Sequence, residues 1–188
     1  MVTDNCNTML SVRRMYQEAH PETLVYGCSD HLIDLELEEF VDVISLAGII
    51  DRVSAIIRVF KSHLIFNSAL RLAGGKAPTI PANTRWHYAV DMLQNCVDNR
   101  SFMRSCIIQN PQLEAVMEKR YKKQWQDLAD TDFFQDIDEC LSLLKPFKEA
   151  IKKVECDSCS PHEVVSIWLD LYDHVSGKLR CINVLMII

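Results

Sequence analysis

The chain has 188 residues, of which 48% are hydrophobic and 24% charged, and its formal net charge is −6. That length and apolar content suit one domain, or one domain with a fragment of another, able to bury a core, and they exclude disorder over most of the chain. The acidic balance opposes a segment that grips nucleic acid by itself, because such binding depends on Lys and Arg neutralising phosphates.

Met1 to Thr3 reads as the end of a strand, and Asn7 to Ala19 as a helix carrying Met9, Val12, Tyr16 and Ala19 at helical spacing, stopped by Pro21. Leu24, Val25 and Tyr26 form a second short strand, Gly27 breaks it, and Ser29 or Asp30 can cap the helix that follows. That helix is expected from His31 to about Leu72, with a kink near Gly48. Within it Val43, Leu46, Ile50, Val53, Ile57, Phe60 and Leu64 recur three or four residues apart, the pattern of a helix packed in a bundle. Asp42, Asp51, Arg52, Arg58 and Lys61 interrupt the same stretch and exclude a membrane span.

Ala73 to Asn83 is an irregular connection, since paired glycines and two prolines forbid regular structure there. Its GGK sequence is not a phosphate loop: the upstream Gly and the following Ser or Thr are missing, and no strand leads into it. Helical patterns return over Arg85 to Cys106, and Pro111 suits the first turn of another helix. Thr131 or Asp132 can cap a third that runs to about Val154, bent at Pro146. Cys156 to Ser160 is a turn, and Pro161 opens a last helix carrying Val164, Val165, Trp168, Leu171, Tyr172 and Val175. The remainder, from Gly177, ends in the uncharged CINVLMII, which must dock on something or aggregate. These patterns predict a mainly α fold.

The eight cysteines follow no basic and apolar leader, and a chain of this size needs no covalent staples, so they read as reduced thiols of a nuclear or cytoplasmic, not secreted, protein. Cys28 and His31 have a ligand-like gap, as do Cys156, Cys159 and His162, but a structural zinc site takes four ligands from paired short gaps and none is expected here. The run EKRYKKQ, Glu118 to Gln124, is locally basic and reads as a solvated helix face or a contact for DNA phosphates.

Three ordered motifs resemble the hAT superfamily of cut-and-paste DNA transposases and the cellular proteins domesticated from them: VTDNCNTM at Val2 to Met9, GCSDHLIDL at Gly27 to Leu35, and PANTRWHYAVDML at Pro81 to Leu93. A looser match covers Trp125 to Val154, with its Leu-x-Pro-Phe element. The resemblance implies a small remnant of an RNase H-like α/β core, two short strands within residues 1–39, attached to a helical insertion-type bundle over 40–188. It places Asp4 at the second of the family's three metal-binding acids, where Mg²⁺ or Mn²⁺ would be held in an intact transposase; the plain alternative is that Asp4 caps the next helix.

The first acid and the glutamate of that trio are not found, so neither catalysis nor a cofactor is expected of this chain unless flanking sequence supplies them. Arg85 and Trp86 match the family's Arg-Trp pair, implying phosphate contact and base stacking, with core or loop anchoring as the alternative for Trp86. His87 stands where the family most often has Asn. Cys28 and His31 match its Cys-x-x-His segment, implying a buried packing and hydrogen-bonding feature beside the sheet. The implied partners are DNA, other proteins or the missing parts of a transposase, with no membrane. A helical interaction module with no DNA role is the competing reading, favoured by the acidic charge.

Overall fold

A computed structural model describes residues 2–3, 5–43, 46–80, 87–156 and 158–185, with side chains as far as 178. Among them are nine helices and two two-residue strands, so the mainly α class expected is the one observed. The chain divides into two compact units, residues 1–39 with 146–188 and residues 40–145.

The first unit opens with β1 (Val2–Thr3), α1 (Asn7–Ala19) and β2 (Tyr26–Gly27). The strands pair in parallel, Val2 with Tyr26 and Thr3 with Gly27. Parallel neighbours cannot be joined by a hairpin and need a crossover connection, which α1 supplies. Next comes α2 (Ser29–Val43), whose Ile33 and Leu37 are fully buried one turn apart. The unit closes with the end of α8 (Thr131–Val154) and with α9 (Pro161–Leu185), where Ile167 and Leu171 face inward. Ser160 and Glu163 form a capping box ahead of α9: the Glu163 carboxylate accepts from the Ser160 N–H at 2.7 Å and from its Oγ at 2.5 Å. That helix continues through Gly177 to Leu185; a single interior Gly costs a helix only about 1 kcal/mol.

The second unit holds α3 (Ala47–Ser62), α4 (Leu64–Leu72), α5 (His87–Ile108), α6 (Pro111–Arg120), α7 (Lys122–Ala129) and the first part of α8. α3 packs on α4, α5 and α7, and α5 packs on α4, α6 and α7. Val53, Ile56, Ile57 and Phe60 line the inner face of α3, and full burial of such side chains contributes roughly 1.5–3 kcal/mol each.

The single helix expected from His31 to Leu72 is in fact three, α2, α3 and α4. Its break at His63 has a packing cause. In an unbroken helix Phe66 would lie roughly 120° around the axis from Phe60. With His63 extended, Phe66 turns inward and meets the Phe60 ring edge-to-face, centroids 5.6 Å apart. Asn67 Nδ2 donates to the freed Phe60 carbonyl at 3.3 Å, and Tyr121 Oη lies 2.6 Å from His63 Nε2. The stripe therefore ends early: Leu64, expected inside, is 81% exposed, and Val43 at its other end is exposed too.

Gly74 and Gly75 stop α4. Gly74 sits at φ +93°, the Gly75 N–H donates to the Leu70 carbonyl at 2.9 Å and the Gly74 N–H to that of Arg71 at 3.0 Å, the paired bonds of a Schellman cap. The GGK segment is thus a helix stop. Asn110 caps α6, accepting from the Gln112 N–H at 3.1 Å. The cap of α8 is Asp130 rather than Thr131 or Asp132: its Oδ1 accepts from the Asp132 and Phe133 N–H groups at 3.0 and 3.2 Å.

Candidate functional site

The ends of β1 and β2 bring the first two resembling motifs together. The Cys28 N–H donates to the Thr3 carbonyl at 2.8 Å, extending the strand pairing by one bond. The Asn5 amide donates to the Cys28 carbonyl at 2.9 Å, and its oxygen accepts from Arg13 Nη1 at 3.1 Å. One side chain therefore ties the exit of β1 to the exit of β2 and to the middle of α1. Gly27 makes the approach possible: a Cβ there would overlap both Asn5 Oδ1 and Arg13 Nη1.

Asp4 lies between Thr3 and Asn5 and is outside the described residues, as are Arg85 and Trp86. The residues that follow Arg85 and Trp86 are described: His87, the first residue of α5, is buried, and its ring lies 4.2 Å from that of Tyr88, tilted by 42°. Val90 and Leu93, the apolar part of the third motif, are buried in the second unit.

Cys28 and His31 do not share a buried environment. Cys28 is half-buried and His31 exposed, which corrects the expectation of a buried pair. The Cys28 thiol turns to the carboxylate of Asp30. Burial and the Asp30 carboxylate beside it push this thiol up from its ordinary value. The buried members of GCSDHLIDL are instead Ile33 and Asp34.

In the second gap, His162 Nδ1 lies 2.9 Å from Ser160 Oγ, within the α9 cap. Among the described residues no group of three His, Cys, Asp or Glu side chains converges to hold a metal ion, and no helix is long and apolar enough to cross a membrane.

The basic run does not form one helix face. Tyr121 ends α6 and begins α7, splitting the run, and Lys119 and Arg120 occupy the last turn of α6, where cations offset the exposed carbonyls. Lys119, Arg120, Lys122 and Lys123 are all exposed.

Sequence reasoning missed Asn5, Arg13 and Gly27 as a set. The available signal was an Asn two residues after a strand end and a Gly two residues before the next helix, both inside stretches singled out for other residues. It also missed the grip of α5 on the irregular connection. Asn99, fully buried, accepts from the Lys76 N–H at 2.8 Å and donates to the Lys76 carbonyl at 3.3 Å, while Asn95 donates to the Ala77 carbonyl at 3.0 Å and accepts from the Thr79 N–H at 3.3 Å. Two amides one helical turn apart thereby hold the segment that leads toward Arg85 and Trp86.

Comparison with family models, with curated proteins and with solved structures finds no match to this chain.

Proposed function

We propose that this chain is a transposase-derived segment of hAT type, joining the end of an RNase H-like core to a helical insertion and serving as an interaction piece rather than as a catalyst. The observation that carries the reading is the parallel β1–α1–β2 unit, in which a strand leads straight to the position of Asp4 and the next residue, Asn5, binds the opening of the Cys28 to Leu35 motif. An acid at the end of a paired strand is the arrangement that holds catalytic cations in RNase H-like cores. Leu144 and Phe147, which flank Pro146 in the looser fourth motif, are both buried, as an element of a packed insertion requires.

The absence of catalysis follows from charge arithmetic. Two-cation phosphoryl transfer needs several carboxylates around a pair of divalent ions to balance their charge and fix their spacing. By the resemblance this chain offers Asp4 alone, so Mg²⁺ or Mn²⁺ would be retained only if further acids were supplied from elsewhere. Its contact with DNA rests on Arg85 for phosphate and Trp86 for an unstacked base. The −6 charge keeps that contact weak and favours, as a second reading, a module that binds only protein. In either form the reading places the chain in the nucleus or cytoplasm.

Retention of the purified chain on hairpin DNA at low salt tests the proposal. Weak retention that disappears when Arg85 and Trp86 are both replaced by Ala is the expected result. No retention at low salt would leave the protein-only module.

A further inference from the structure

We propose that Cys156 and Cys159 form a reversible disulfide across the turn between α8 and α9, a modification site built on their backbone geometry and open to small disulfide oxidants. This inference is independent of the transposase reading.

The backbone sets the distance. The Cys159 N–H donates to the Cys156 carbonyl at 2.9 Å. An i to i+3 bond of this kind marks a reverse turn, whose first and last Cα atoms lie within about 7 Å. Disulfides span Cα separations of about 4.4–6.8 Å, so the turn holds the two cysteines in the range a disulfide bridges.

Access separates this pair from three of the other described thiols, and the shared turn separates it from Cys6 and Cys28. Cys96, Cys106 and Cys140 are buried, and burial raises them to about 12, 11 and 12, leaving almost no thiolate and no path for a reagent. Cys6 is exposed, and Cys28 is turned to Asp30. Cys156 is exposed and Cys159 half-buried, and both line a cavity of about 400 Å³ together with Lys153, Ser158, Glu163 and Asp170. Lys153 offers a cation to the carboxylates of an incoming peptide thiol.

Burial, the Glu163 carboxylate and Cys156 each raise the Cys159 thiol. A disfavoured thiolate at Cys159 leaves the exposed Cys156 as the thiol that attacks an oxidant first.

With oxidised glutathione as the oxidant the step balances. The Cys156 thiolate attacks one glutathione sulfur and expels a glutathione thiolate, giving a mixed disulfide. The Cys159 thiolate then attacks the Cys156 sulfur, closing the internal bond and releasing the second glutathione. The two protein thiols lose two electrons, the glutathione disulfide gains them, and the two protons pass to the released thiolates.

The test is incubation of the reduced full-length chain with oxidised glutathione, quenching with an alkylating agent, and peptide mapping by mass spectrometry. The expected product is a peptide with Cys156 and Cys159 linked, two hydrogens lighter and unalkylated, reversed by excess thiol. In Cys156→Ser and in Cys159→Ser the remaining cysteine should carry one glutathione instead, and its half-time of reduction by added thiol should change by about tenfold or more relative to the internal bond. Recovery of both cysteines alkylated, or of both bearing separate glutathiones, overturns the proposal.

Discussion

Arg52 Nη2 donates to Asp127 Oδ1 at 2.7 Å, joining α3 to the end of α7. The same guanidinium lies 3.8 Å over the Phe133 ring, and Arg100 lies 4.0 Å over Phe134 while donating from Nη2 to the Asp130 carbonyl at 3.1 Å. Both arginines have a buried Nε with no hydrogen-bond partner among the described residues. Two adjacent phenylalanines at the start of α8 are thus each covered by an arginine from a different helix.

Replacing Asp127 by Ala is expected to destabilise the fold by about 1–2 kcal/mol, because Arg52 is only partly shielded and keeps Asp130 within 3.9 Å. Arg52→Lys keeps the charge but loses the planar stack, so it should be destabilising as well. Urea denaturation with an unchanged m-value measures both; an effect below about 0.3 kcal/mol for both variants would show the network to be incidental.

Asn99→Ala removes the clamp on the irregular connection. The Lys76 N–H and carbonyl lose their side-chain partner in a part-buried setting, a cost of about 1 kcal/mol. Hydrogen exchange should accelerate at the Lys76 and Thr79 amides before it does so along α5. Unchanged exchange at Lys76 would show the clamp to be dispensable.

The Asp98 carboxyl is held below its ordinary value of 3.8, chiefly by the Lys76 ammonium that donates to it at 2.7 Å and next by Gln94. A depressed folded value means that its contribution is complete above the ordinary carboxylate value and is lost as pH falls through the folded one. Asp98→Asn should therefore lower stability near pH 7, by a small amount because the exposed Lys76 partner is screened, and the difference from wild type should vanish as pH falls through the folded value, which flattens the acid limb of the variant's stability curve. Parallel wild-type and variant curves would contradict this.

Gly27→Ala should break the strand-end tie. The added methyl displaces Asn5 or Arg13, for an expected loss of about 1–3 kcal/mol, and Asn5→Ala should make the same residue insensitive to Gly27→Ala. Additive losses in the double variant would place Gly27 outside the Asn5 network.

Much of this architecture is written in local signals. Pro21 beyond α1, Pro111 at the start of α6 and Pro161 at the start of α9 fix helix ends through backbone chemistry alone, and the paired glycines after α4 do the same. The breaks at His63 and Tyr121 were not legible, because neither is a helix breaker by propensity. They exist to seat Phe66 against Phe60 and to bring Tyr121 to His63, a tertiary demand invisible in a window of neighbours. The candidate site was partly legible. The first short strand was legible at Thr3, but the second is Tyr26–Gly27 rather than Leu24 to Tyr26, with the glycine expected to break it lying inside it; Asn5 and Asn99 act on the backbone of distant segments, and such bonds leave no periodic trace.

A cleavage assay reaches the central proposal, that this chain by itself does no phosphoryl transfer at Asp4. The purified chain is mixed with Mn²⁺ and a hairpin DNA substrate and the products are resolved on a denaturing gel. No nicking above the protein-free control is predicted, for wild type and Asp4→Ala alike. Robust cleavage by the wild type that is lost in Asp4→Ala would contradict the account.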